Sequence, residues 1–195
     1  MKSLAKNSIY NILYKCSNFI FPLIISAYVS RILLAEGVGK VSSAQNIVTY
    51  FVILAALGLP TYGTKVIASC GSNRDKRNKA FSELFIINAI STIICSIAYY
   101  IMVIQIPYFQ QRQSLFIVSG LSIVFNIINV DWFYQGCEEY GYIMIRNLLI
   151  KALSLVAIFV CVKSVGDYVK YAAVLTLSKV ANKIFNIVHL QKYAR

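Results

Sequence analysis

VSSAQNIVTYFVILAALGLPTYGT, residues 41–64, runs for 24 residues without one charged side chain. The hydrocarbon core of a bilayer is about 30 Å thick, and roughly 20 helical residues cross it. A segment this long and this apolar has a place in a membrane and none in the small core of a water-soluble domain. Five more apolar blocks flank it. Residues 9–34 are interrupted only by Lys15 before Arg31, and 84–106 stop at Pro107. Residues 115–135, 147–162 and 171–190 follow, the fifth block being short and the sixth being interrupted by Lys179 and Lys183. Between the second and third blocks, GSNRDKRNK at 71–79 reads as the clearest loop. The expected fold is an all-α integral membrane protein, a six-transmembrane-helix bundle.

Composition agrees. Of 195 residues, 58% are hydrophobic and 13% charged, with a mean hydropathy of +0.67. A soluble domain carries about 25% charged residues. The net charge of +12 raises the question of nucleic acid, but that needs basic residues gathered on one face. Here they sit mostly in the short polar joints between blocks, as the positive-inside rule produces. With the N-terminus inside, twelve Lys and Arg residues fall on the inner side, among them Lys2, Lys6, Lys15, Lys65, Arg146 and Lys151. The outer side holds Arg31, Lys40, Arg112, Lys163 and Lys170. Both termini are therefore expected in the cytoplasm. The first block is too long for the apolar part of a signal peptide and has no small-residue cleavage site, so it reads as a retained helix. Tyr99, Tyr100, Tyr108 and Phe109, and again Trp132, Phe133 and Tyr134, read as aromatic belts at the two interfaces. Cys16, Cys70, Cys95, Cys137 and Cys161 are odd in number and lack CxxC spacing, which favours small buried hydrophobes over disulfides or a metal site.

The informative residues are the polar ones inside the blocks, since each must face protein or a wet cavity. Asn11, Lys15, Asn18, Pro22 and Ser26 share one helical face within about 80°, and Pro22 invites a kink there. Interhelical packing and a cavity lining both fit that stripe. Lys179, Asn182, Lys183 and Asn186 also fall on one face. Two central lysines cost roughly 5–7 kcal/mol on the insertion scale. The nine Val, Leu, Ile and Phe residues between Tyr171 and Leu190 return only about 3–5 kcal/mol. This segment must lean on other helices and turn its lysines to an aqueous or anionic cavity, or else into an ion pair with Asp131. Milder stripes lie at Ser42, Gln45, Asn46 and Thr49, at Asn88, Ser91, Thr92 and Cys95, and at Ser122, Asn126 and Asn129. Together they suggest a central polar cavity closed on the inside by cations. The candidate substrate-contacting residues are Lys15, Asn18, Asn46, Asp131, Lys151, Lys179, Asn182, Lys183 and Asn186. No catalytic residue, cofactor or metal is expected. The sole histidine, His189, lies at a helix end, the adjacent Glu138 and Glu139 cannot face each other across a bond, and no HExxH, GxSxG or P-loop is present.

Several segments carry a family resemblance. KNS at 6–8, YVSRIL at 28–33 and EGVG at 36–39 resemble the start of bacterial polysaccharide exporters of the Wzx type. ALGLPTYGTK at 56–65 resembles the end of their second helix. DWFYQG at 131–136 with Glu138, Tyr142 and IRN at 145–147 is similar to the joint between their fourth and fifth helices. At Leu34-Ala35 a Gly-Pro-like turn would be expected instead. The resemblance implies a flippase of the multidrug/oligosaccharidyl-lipid/polysaccharide superfamily in the bacterial cytoplasmic membrane. Such proteins turn a polyprenyl-pyrophosphate-linked oligosaccharide from the inner to the outer leaflet. The present chain corresponds to one lobe of a two-lobe exporter. The other wall would come from a second lobe or a second copy, and a truncated, inactive product is the favoured expectation, since no feature replaces the missing half. Its partners would be the lipid-linked oligosaccharide, the bilayer and polysaccharide assembly proteins, with no nucleic acid. The alternatives are a cation-coupled multidrug exporter, which wants intramembrane acids where this chain has only Asp131, and a non-transporting scaffold in an assembly complex.

The charge asymmetry predicts that a periplasmic reporter fused after residue 111 is active and one fused after residue 78 is silent. The reverse pattern would overturn this topology.

Overall fold

The computed structural model describes residues 4–71 and 73–190, and the side chains of residues 4–9, Asn11, Tyr14 and Lys15 lie outside the described set. The candidate site residue Lys15 therefore falls outside the described residues. Helices α1 (Leu4–Ala56), α2 (Leu59–Ser69), α3 (Arg74–Gln105), α4 (Pro107–Gln110), α5 (Gln113–Val124), α6 (Asp131–Gly136), α7 (Tyr140–Cys161) and α8 (Tyr168–Leu190) account for nearly all of them. Among the described residues there is no strand. Three helical segments are long and apolar enough to cross a membrane: Cys16–Ser69, Arg74–Gln105 and Tyr140–Cys161. Gln113–Ile128 is apolar but shorter, and α8 carries Lys170, Lys179 and Lys183. This is a helical, multi-pass membrane protein.

The long α1 is not one rod. Leu34 has φ 56° and ψ 178°, which divides the helix into limbs 4–33 and 35–56. Pro22 and Ser42 would stand about 30 Å apart on a straight helix, yet both line one cleft with Ile25, Ser26 and Val38. The limbs therefore fold back on each other. The reversal comes at Leu34, where the resemblance would place a Gly-Pro-like turn, and Pro22 is carried inside helical backbone.

Other breaks correct the expected block boundaries. Leu57 (φ 47°) and Gly58 (φ 74°) end α1 inside the uncharged 41–64 stretch, because the left-handed pair cannot continue a helix. The expected loop at 71–79 is mostly the start of α3. Asn73 caps that helix by accepting from the Lys76 amide at 3.0 Å, and the Lys and Arg residues that follow are good helix formers. The 115–135 block is interrupted by a 3-10 turn at Phe125–Ile128 before α6 begins. Its loosened carbonyls are met from α3, where Asn88 donates to Asn126 O (2.8 Å) and Ile127 O (3.0 Å). The fifth helix starts at Tyr140, seven residues earlier than 147. Before α8, the Asp167 carboxylate pairs with Lys170 at 2.7 Å and accepts from the amides of Lys163 and Ser164. Lys170 and these donors hold its carboxyl far below the usual carboxylate range, so the turn keeps its charge until strongly acidic pH.

The core falls into three apolar clusters. Val41, Ala44, Val48, Tyr99, Phe116 and Ile123 pack together where the second α1 limb, α3 and α5 meet. Val29, Leu33, Ile158 and Val162 fill the end beside the Leu34 reversal. Leu59, Ile67, Leu84, Trp132, Phe133 and Tyr134 fill the opposite end. Tyr99 and the Trp132-Phe133-Tyr134 run are thus buried, at 0–3% exposure, and are core residues instead of a lipid-facing belt. Tyr99 spends its hydroxyl on the Phe116 carbonyl at 2.8 Å. Nor is any cysteine fully buried, since Cys16 and Cys161 lie on the surface and Cys70, Cys95 and Cys137 are half-buried.

Helices α2 and α6 touch through glycines on both sides. A Cβ on Gly63 would stand 2.7 Å from the Trp132 ring, and one on Gly136 would stand 2.7 Å from Ile67 Cβ and 2.9 Å from Thr64 O. Gly136→Ala should therefore destabilise by about 1–3 kcal/mol, as overpacking does. Thermal unfolding in detergent, followed by the fluorescence of the single tryptophan, should show a lower midpoint. Gly39→Ala, with nothing within 4 Å of the added carbon, should leave the midpoint unchanged or raised.

Candidate functional site

Helix α8 presents Lys179, Asn182, Lys183 and Asn186 on one face, and each side chain is held by a different neighbour. The helical period gives that arrangement, since steps of three, one and three residues return to the same side. Lys179 is exposed and donates to Gln45 Oε1 of the second α1 limb at 2.6 Å. Lys183 is half-buried and donates to the Ser122 carbonyl of α5 at 2.9 Å. Asn182 accepts from Arg146 Nε of α7 at 3.0 Å and donates to Ser178 O. Asn186 is fully buried and donates to Asp131 Oδ1 of α6 at 2.6 Å.

Asp131 is the centre of this arrangement. Its Oδ1 also accepts from Arg146 Nη2 at 3.0 Å, in an ion pair whose arginine side chain is only 5% exposed. Three helices, α6, α7 and α8, meet on one carboxylate oxygen. Tyr134 locks the same corner by donating to the Asn186 carbonyl at 2.7 Å. Tyr142 lies under the Arg146 guanidinium, stacks on His189 at 3.9 Å and donates to Phe185 O at 2.8 Å. His189, at the end of α8, is thus part of the packing around the pair.

The structure does not show the ion pair of the α8 lysines with Asp131. Asp131 pairs with Arg146, while the two lysines reach neutral oxygens. Arg146 counts among the cytoplasmic joint charges when the fifth block is started at 147. The earlier start at Tyr140 turns it into the helix and buries it. The signal was present as Arg146-Asn147 beside an apolar run, but it needed the correct boundary.

The other expected site residues fall apart from this cluster. Lys151 of α7 donates to Ser17 Oγ (3.2 Å) and Asn18 Oδ1 of the first α1 limb, forming a separate polar contact. Asn46 is exposed beside Gln45, and it is Gln45 that Lys179 engages. Asn88, Thr92 and Asn126 form a buried network of their own between α3 and the turn after α5. They act as packing glue.

Buried polar atoms around α8 without a hydrogen-bond partner include Gln45 Nε2, Ser122 Oγ, Arg146 Nη1, Thr176 Oγ1 and Asn186 Oδ1. Each costs about 1–3 kcal/mol when left so. Lys179 and Lys183, with the buried Arg146 guanidinium behind them, give the α8 face three cations beside one carboxylate, Asp131. Among the described residues no cluster of His, Cys, Asp and Glu could hold a metal ion.

Comparison with known proteins bears on what such a face serves. The chain is 25% identical over 193 residues to a "Putative O-antigen transporter" of Shigella dysenteriae, covering 97% of this chain and 48% of that protein. It is 24% identical over 165 residues to a "Putative O-antigen transporter" of Escherichia coli K12, covering 85% and 40%. The chain thus spans about half the length of the curated relatives it matches. No solved structure matches it. Residues 4–195 match the family described as "Polysaccharide biosynthesis protein". A match over nearly the whole chain shows that this protein belongs to the polysaccharide biosynthesis protein family, the Wzx-type group that its sequence resembles.

Proposed function

We propose that this chain supplies one wall of the path by which a polyprenyl-pyrophosphate-linked oligosaccharide crosses the bacterial cytoplasmic membrane. In this reading the two limbs of α1, with α3, α5, α7 and α8, are six membrane crossings with both termini cytoplasmic. They form one lobe, and a second lobe or a second copy faces the α8 side. Rocking-type alternating access works between two such bundles around a site near the midplane. The observation that carries the proposal is the placement of Lys179 and Lys183 one turn apart on α8, with Arg146 and Asp131 beside them. A pyrophosphate is an anion that such cations suit.

The relatives' names support a polysaccharide cargo, and the reading needs no enzymatic residue. A cation-coupled drug exporter would want a free intramembrane acid, whereas Asp131 is engaged by Arg146 and Asn186. A scaffold within an assembly complex would have no use for lysines at membrane depth.

Alanine at both Lys179 and Lys183, in a full-length exporter context, should abolish surface-polysaccharide export while leaving the protein in the membrane. Arginine at both positions should retain a measurable part of it. Unimpaired export by the double alanine variant would overturn the proposal and favour the scaffold.

A further inference from the structure

The lipid-facing surface carries a second feature. Exposed isoleucines run down α3 at 86, 90, 94, 97, 101 and 104, a rise of about 27 Å that matches one hydrocarbon core. Exposed basic residues, Arg74, Lys76 and Lys79, stand on the turns above, with the exposed Lys65 on α2. Lys79 is about 10 Å above Ile86, within the headgroup zone, and its stem can snorkel along the helix. The acids of this stretch, Asp75 and Glu83, leave it net positive.

The surface just below this collar is concave. α1 ends at the left-handed pair Leu57-Gly58, and α2 starts from that break. A groove of about 320 Å³ remains, lined by Leu57, Ile87, Ile90, Ser91, Ile94 and Cys95. Lys76 precedes Ile87 by eleven residues, three helical turns, and so stands on the same face. A single helix break thus sets an apolar slot directly beneath cations.

We propose that this notch binds one anionic glycerophospholipid of the surrounding leaflet, its acyl chain in the groove and its phosphate at Lys76 and Lys79. The charge selects the occupant: a neutral or zwitterionic lipid fills the groove equally well but gains nothing from the collar. Each lysine near an anionic headgroup contributes about 1 kcal/mol. The site is remote from the α8 face, so this proposal stands or falls independently of the transport reading.

Native mass spectrometry of the delipidated chain, titrated with phosphatidylglycerol and with phosphatidylcholine of the same acyl chains, tests it. The unaltered chain should retain phosphatidylglycerol preferentially. Lys76→Gln with Lys79→Gln should lower that retention by about thirtyfold, the effect of two lysines at an anionic surface, and leave phosphatidylcholine unchanged. Both substitutions lie on exposed turns, so folding is preserved. Ser91→Trp, which fills the groove, should weaken both lipids. Equal retention of the two lipids by the unaltered chain would overturn the proposal, as would phosphatidylglycerol binding that ignores both sets of variants. Displacement of phosphatidylglycerol by equimolar polyprenyl phosphate would also overturn it, assigning the groove to a prenyl tail.

Discussion

A charged side chain at membrane depth must be solvated by protein, because the hydrocarbon offers nothing in place of water. Much of this structure answers that constraint. Arg146, the most buried charge described, is met by Asp131 and Asn182. Lys179 is tethered to Gln45, Lys183 to the Ser122 carbonyl, and Lys151 to Ser17 and Asn18. Lys179 and Lys183, the cations that make α8 a poor membrane helix, bind it to α1 and α5, while Asn182 and Asn186 bind it to α7 and α6. Removing one partner of the Asp131–Arg146 pair would leave a buried charge unpaired, which is costly by about 3–5 kcal/mol.

The same logic governs the backbone. A helix break inside a membrane is tolerated where protein groups satisfy the freed carbonyls and amides. Asn88 does so for the turn after α5, and Trp132 adds a donor to the Asn129 carbonyl at 3.1 Å. The break then starts α6 at Asp131, which brings the carboxylate to α7 and α8. Without Asn88 holding that turn, the acid would have no reason to stand where Arg146 needs it. Packing glue between α3 and α5 is therefore a condition for the polar face of α8.

Periodicity and apolar bulk made the membrane character and the α8 stripe legible from residue order alone. Lys179, Asn182, Lys183 and Asn186 do share one face, as a 100° step requires. What the sequence hid was long-range choice. Nothing local distinguishes Asp131 pairing with Arg146 from Asp131 pairing with Lys183, for both partners lie on other helices. Boundaries failed where polar residues continue a helix past its membrane portion. Arg74–Lys79 looks like a loop because it is charged, yet Asn73 caps it and its long side chains favour helix. The aromatic run 132–134 failed for a related reason: a belt and a core corner have the same composition, and only burial separates them.

The central claim is that the α8 face is wet and cationic instead of sealed against lipid or protein. With the native cysteines replaced, Lys183→Cys can be probed in membranes by small thiol reagents of opposite charge, beside Ile97→Cys on the lipid surface of α3. The position on α8 should react readily, and faster with the anionic reagent than with the cationic one, since Lys179 and Arg146 remain beside it. A thiol at position 183 as unreactive as the one at 97 would contradict the account.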